Sequence, residues 1–275
     1  TTPARTLGAV RFNRLRLIIV SLALIAMSLG KGGWQTLNAQ AIWVLILSSI
    51  IGIFIGDTLL FATLKRLGPR RTGILFTTNA PFAVIIGYFF LDEILPFMTV
   101  IGCLLIMAGV FLAVLYGTKS HQKHSFEMIQ GSIRAGIIFG LLSALCQAIS
   151  VIIARPIMAT GVDALSASAL RVGISALALI AFQFVNRPKD SHPAKPLTGK
   201  LFIQTGLSGI IGMALGMTFL LFALTKGEAG LVSTLSATSP IFILPILWIA
   251  TRERPAPGAW IGAILAVFGV ACIFY

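Results

Sequence analysis

Apolar residues run along this chain in long stretches, and the breaks between them are short, polar and rich in Pro and Gly. Cutting at those breaks leaves apolar segments at 14–31, 40–64, 72–91, 97–116, 134–156, 163–186, 200–225, 229–250 and 257–275. Each approaches the ~20 residues that a helix needs to cross a bilayer. Barrel strands would alternate apolar and polar positions over ~10 residues, whereas these runs are continuous, so helices are the predicted element. The pattern therefore predicts an all-α polytopic transmembrane bundle with nine visible helices. Two longer polar loops, at 117–133 and 187–199, interrupt the series.

Composition agrees with that reading. Of 275 residues, 57% are hydrophobic and 11% charged, and mean hydropathy is +0.97, whereas a soluble domain carries roughly 25% charged residues. Nine spans use up the chain and leave no room for a soluble catalytic domain. The net charge of +13 does not point to nucleic acid, because the basic residues sit between apolar runs rather than on a soluble face. Juxtamembrane Lys and Arg set topology and meet anionic lipid instead. Seventeen of the 21 Lys and Arg fall on the side where the first visible helix begins, against Lys31, Arg155, Arg171 and Lys226 on the other. The positive-inside rule then places that first side in the cytoplasm. Cys103, Cys146 and Cys272 lie within apolar stretches and His121, His124 and His192 in polar loops, so neither a disulfide framework nor a metal site is expected. The first apolar run lacks the form of a removable signal peptide.

The chain repeats itself. Ile51-Gly52-Ile53-Phe54-Ile55-Gly56-Asp57-Thr58-Leu59-Leu60 reads like Ile211-Gly212-Met213-Ala214-Leu215-Gly216-Met217-Thr218-Phe219-Leu220. Nearly the same offset aligns Pro81 with Pro240, Glu93 with Glu253, Gly102 with Gly262 and Gly109-Val110 with Gly269-Val270, and Leu15-Arg16 matches Leu170-Arg171. The expected domains are two copies of one helical unit, at 1–117 and 131–275. With the topology above the copies are inverted, the architecture by which secondary transporters alternate between two packings around a midplane site. Inversion requires an odd number of helices per copy. The expected unit therefore has five, of which the stretch of the first copy at 1–117 is expected to show four.

These residues carry a resemblance to a known family. In the Leu-Arg opening of the second helix of each repeat, the Gly-Asp-Thr-Leu of the third, Pro81 and Pro240 of the fourth, and the Glu and spaced glycines of the fifth, the chain resembles the EamA-type transporters of the drug/metabolite transporter superfamily. The resemblance implies a ten-helix bundle with a central cavity that moves small metabolites, amino acids or toxic compounds, usually outward. Met217 stands where Asp57 would have its counterpart, so the two copies differ at that point.

Candidate site residues follow from polarity inside apolar runs. Asp57 is the one acid in the interior of a span, where a charge is costly and marks a pathway by default; the alternative is a structural carboxylate held by neighbouring hydroxyls. Gln147, with Ser143 and Ser150, forms a polar stripe that either lines a cavity or joins two helices. Thr78 and Asn79 before Pro81, and Ser239 before Pro240, sit where proline frees a carbonyl; matching breaks in two halves point to a binding site, the alternative being kink geometry alone. Arg171 lies deep in its span, with a structural or an anion-facing role. Glu93 and Glu253 head helices and are expected to cap them. The pairs Gly52/Gly56, Gly136/Gly140 and Gly212/Gly216 are expected to let helices approach closely.

The expected function is that of a secondary transporter working by alternating access in the direction of export, with a small-molecule substrate, the lipid bilayer as surroundings and the proton as candidate coupling ion. No cofactor is expected, nor an enzymatic activity, and no G-x-x-x-x-G-K-[ST] loop supplies ATP chemistry. The expected location is the bacterial cytoplasmic membrane, as monomer or homodimer. A structural or assembly subunit is one alternative. An intramembrane enzyme is the other; Phe54-Ile55-Gly56-Asp57 misses the Gly-x-Gly-Asp pattern of intramembrane aspartyl proteases.

Overall fold

The computed structural model describes residues 9–116, 132–185, 198–238, 241 and 256–274. Helices make up its regular structure, as the apolar runs require, because lipid offers the backbone no hydrogen-bonding partner. In chain order they are α1 (Ala9–Leu29), α2 (Ala39–Ser49), α3 (Gly56–Thr77), α4 (Asn79–Leu91), α5 (Phe97–Tyr116), α6 (Ile133–Ala159), α7 (Ala164–Val185), α8 (Gly199–Gly209), α9 (Gly216–Leu224), α10 (Ala229–Ser236) and α11 (Pro257–Phe274). A short 3-10 turn, Gly33–Thr36, follows α1, and wide π turns at Ile50–Ile55 and Ile210–Leu215 join α2 to α3 and α8 to α9. Among the described residues, six helical stretches are long and apolar enough to span a membrane, with Phe97–Ala113 and Pro257–Ile273 as shorter apolar helices. The expected segment 229–250 begins as α10 and continues outside the described residues.

The polar break at Lys65–Arg71 is a kink rather than a loop. Gly68 adopts φ 76°, ψ 170° inside α3, a backbone region that residues with a Cβ avoid, and Thr72 Oγ1 donates to the Gly68 carbonyl at 2.7 Å. The chain changes direction there and resumes helix at once.

The molecule has two compact units, and each takes helices from both halves of the sequence: Thr1–Phe54 with Ile153–Lys226, and Ile55–Ile152 with Gly227–Tyr275. In the first, Leu17, Val20 and Leu24 of α1 pack with Leu165, Ala169, Val172 and Ala176 of α7, and Ile53 and Ala214 reach the same core from the two π turns. Asn38 caps α2 through the Ala41 N–H at 2.7 Å. Asp163 caps α7, its Oδ2 accepting from the Ser166 N–H and hydroxyl, each at 2.8 Å. Such side-chain caps satisfy helix-end donors that have no intrahelical partner.

Glycine sets the packing of the second unit. A Cβ placed on Gly102 would stand 2.6 Å from the Gly269 carbonyl oxygen, and one on Gly109 2.5 Å from that of Gly262. Backbone thus meets backbone where α5 crosses α11, the close approach that small residues permit in lipid. Gly136 and Gly140 of α6 likewise leave room for Leu67 and Leu75 of α3. The expectation for Gly212/Gly216 is corrected: an added Cβ at either meets nothing within 4 Å. The spacing was right for a packing motif, but that face of the helix has no close neighbour.

Candidate polar site at the helix interruptions

Helical continuity fails at matching places in the two halves. The π turns Ile50–Ile55 and Ile210–Leu215 lie 160 residues apart. A π turn carries one residue more than an α turn, shifts the register of the following helix and occurs frequently at functional sites. The second pair of interruptions is at Thr78 and Thr238. Thr78 Oγ1 donates to the Leu75 carbonyl and Thr238 Oγ1 to that of Leu235, both at 2.6 Å. Their backbone N–H groups close onto the same carbonyls at 3.2 and 3.1 Å. In each case the threonine ends one helical segment just before a proline, Pro81 or Pro240.

These interruptions position the polar residues singled out above. Asp57 stands in the first turn of α3, directly after the first π turn, and is half-buried. The carbonyl of the preceding residue, Gly56, accepts a hydrogen bond from buried Ser143 Oγ at 2.8 Å. The stripe on α6 therefore begins against the turn that carries Asp57. Ser143 itself joins two helices, whereas Gln147, one turn further on, is half-buried, and Ser150 is fully buried. Thr78 and Asn79 mark the joint between α3 and α4, with Asn79 buried. Ser239 lies outside the described residues. Asp57, Thr78, Asn79, Gln147 and Ser150 all belong to the second compact unit.

Arg171 belongs to the first unit. It is 0% exposed, so its chain does not reach the interface by snorkelling. Its Nη1 donates to the Met217 sulfur at 3.4 Å, and its carbonyl accepts from Ser49 Oγ, which also shares a hydrogen bond of 2.6 Å with Ser175 Oγ. A reciprocal arrangement exists on the other side of that unit: Gly209, which lies 160 residues beyond Ser49, packs against Arg16, with an added Cβ 2.9 Å from its Cγ. The serines thus hold the backbone at Arg171, while its buried guanidinium meets the Met217 thioether.

Glu93 caps a helix, but not one adjacent in sequence. Its carboxylate receives the N–H groups that open α10. Glu253 lies outside the described residues. Thr238 and the distant reach of Glu93 were not foreseen; the matching Thr before each proline was the available signal for the first. Among the described residues, no group of three His, Cys, Asp or Glu side chains is placed to hold a metal.

Comparison with known proteins gives a consistent family. The EamA-like transporter family matches residues 3–115 and 134–275. A curated relative from Bacillus subtilis (strain 168), named uncharacterized transporter YetK, is 27% identical over 137 residues, 48% of this chain and 42% of the relative. The chain therefore spans less than half the length of the curated relative it matches. A solved protein crystal structure superimposes with a TM-score of 0.77 at 18% identity, over 98% of this chain and 90% of the other, a likeness of fold alone.

Proposed function

The chain belongs to the EamA-like transporter family, and from that premise we propose that it is an integral membrane carrier that exports small metabolites, amino acids or toxic compounds by alternating access. The observation that carries this reading is the matched pair of discontinuities, π turns at Ile50–Ile55 and Ile210–Leu215 and threonine-closed breaks at Thr78 and Thr238. Broken helices in corresponding positions of two halves are where secondary carriers place their sites. Two related halves also supply two packings of similar energy, and exchange between those packings is what transport requires. The halves at 1–117 and 131–275 are, on this reading, inverted copies of a five-helix unit.

Asp57, Thr78, Asn79, Gln147, Ser150 and Ser239 form the substrate pathway in this proposal. Asp57 is its charged member, positioned by a π turn whose exit is held by Ser143. The coupling ion is the proton, with Asp57 as its carrier. The working location is the bacterial cytoplasmic membrane.

The test is counterflow in proteoliposomes with a panel of labelled amino acids and other metabolites, comparing the parent protein with Asp57→Asn. Uptake by the parent that falls at least tenfold in the variant, about 1.4 kcal/mol of lost function, supports both the carrier and the role of Asp57. Uptake that is equal in the two removes Asp57 from the pathway. A folded parent that moves no member of the panel counts against the carrier.

A further inference from the structure

The kink at Gly68 opens a crevice that the transport reading does not use. It has a volume of about 330 Å³ and is lined by Leu67, Arg71, Ile74 and Leu75 of α3 and by Ile133 and Ile137 of α6. That volume lies within the roughly 300–1,000 Å³ of small-molecule sites. The crevice exists because α6 touches α3 through glycine on either side of the bend, Gly136 against Leu67 and Gly140 against Leu75, while the bend itself swings the chain aside. Leu67 forms a buried floor, whereas Ile133 and Ile137 are 47% and 40% exposed and form an open wall.

Arg71 is the charged group of this otherwise apolar lining. Its neighbour in the cluster, Arg66, is already engaged, donating to the Ala62 carbonyl at 3.0 Å and lying 4.8 Å over the Phe139 ring. Arg71 is exposed, and Arg134, beside Ile133, adds a second exposed positive charge. Arg71 meets the slot through its apolar stem and is exposed, so its charge lies at the edge of an apolar slot between two membrane helices, which suits an amphiphile with one negative head and a hydrocarbon tail. Arginine binds phosphate oxygens with paired N–H donors, and basic pockets between membrane helices recognise anionic lipid heads.

We propose that this crevice is a binding site for one anionic glycerophospholipid, its phosphate on Arg71 and one acyl chain laid along Leu67, Ile74 and Ile137. Any lipid wets the apolar wall, so hydrocarbon alone gives no preference among headgroups. The guanidinium makes the site selective, and the occupant props the bend of α3 against α6.

The experiment places the full chain in nanodiscs of phosphatidylcholine containing a minor fraction of spin-labelled phosphatidylglycerol or spin-labelled phosphatidylcholine, and measures the lipid immobilised by the protein. The parent is expected to retain phosphatidylglycerol over phosphatidylcholine by about fivefold, the worth of one basic contact near the membrane surface. Arg71→Gln is expected to lower that preference severalfold and Arg71→Lys to keep more of it. Ile137→Trp, which fills the slot, is expected to lower retention of both lipids. Equal retention of the two lipids by the parent overturns the proposal, as does a preference unchanged in Arg71→Gln. Circular dichroism and gel filtration verify that each variant is folded, and Arg11→Gln, a basic residue outside the crevice, is expected to behave as the parent does.

Discussion

The carboxylate of Glu93 accepts the backbone N–H of Ala229 at 2.9 Å, with the Gly230 N–H at 3.4 Å from its second oxygen. A residue from the connection after α4 therefore caps a helix 136 positions further along the chain. The arrangement is held from both sides. Asp92 adopts the left-handed conformation, φ 53°, that turns the chain after α4, and Gly87 leaves room for the Glu93 carboxylate, 2.7 Å from where a Cβ would stand.

Glu93→Ala removes the acceptor and leaves the first donors of α10 without their partner. A lost cap costs ~1 kcal/mol, and a larger loss is expected here because two backbone donors lose their acceptor together. The midpoint of thermal unfolding in detergent should fall, and Glu93→Gln, which keeps a carbonyl oxygen, should fall less. An unchanged midpoint in the alanine variant would show that the cap contributes nothing.

The crossing of α5 and α11 admits no side chain at its glycines. Gly102→Ala or Gly109→Ala forces a Cβ to within 2.6 Å of facing backbone, and overpacking of this kind costs ~1–3 kcal/mol. Gly212→Ala is the contrasting case: with nothing within 4 Å and helical backbone around it, it should be neutral or stabilise by up to ~1 kcal/mol. Detergent-resistant unfolding curves for the three variants should separate in that order. Equal curves would sink the packing argument.

Ser143 and Gln147 occupy one stripe but are expected to behave differently. Ser143→Ala removes the hydrogen bond to the Gly56 carbonyl, an interaction worth ~0.6 kcal/mol on average between membrane helices. Its signature is reduced stability. Gln147→Ala should instead lower counterflow at unchanged stability, since its half-buried amide is assigned to the pathway. The reverse split between the two variants would exchange their roles.

Ser49 holds the backbone of α7 at Arg171 and meets Ser175. Ser49→Ala removes the hydroxyl without adding bulk and takes this donor from the buried Arg171 carbonyl, at a cost of ~1–3 kcal/mol. Ser49→Thr retains the donor and should recover much of that loss. Unfolding midpoints that rank alanine at or above the parent would refute the role assigned to Ser49.

Helix identity and the places where helices break are legible in the sequence because both are local. A run of apolar residues in lipid must satisfy its own backbone, and it does so as a helix wherever Pro, Gly or a polar cluster does not intervene. The internal offset that pairs Ile51 to Leu60 with Ile211 to Leu220 also locates the two π turns, although nothing in those residues names the turn type. Which faces meet is another matter. These helices are apolar all round, and lipid rewards an outward leucine as well as an inward one, so periodicity cannot mark the contact face. That is why Gly212/Gly216 and Gly136/Gly140 share one spacing in sequence, while tertiary structure packs one pair against Leu67 and Leu75 and leaves the other open. The same holds for Arg171, whose complete burial depends on α2 and α9 arriving around it, and for Glu93, whose partner lies more than a hundred residues away. Local chemistry determined the elements and the candidate polar positions of this protein; long-range packing alone decided which of those positions hold the helices together.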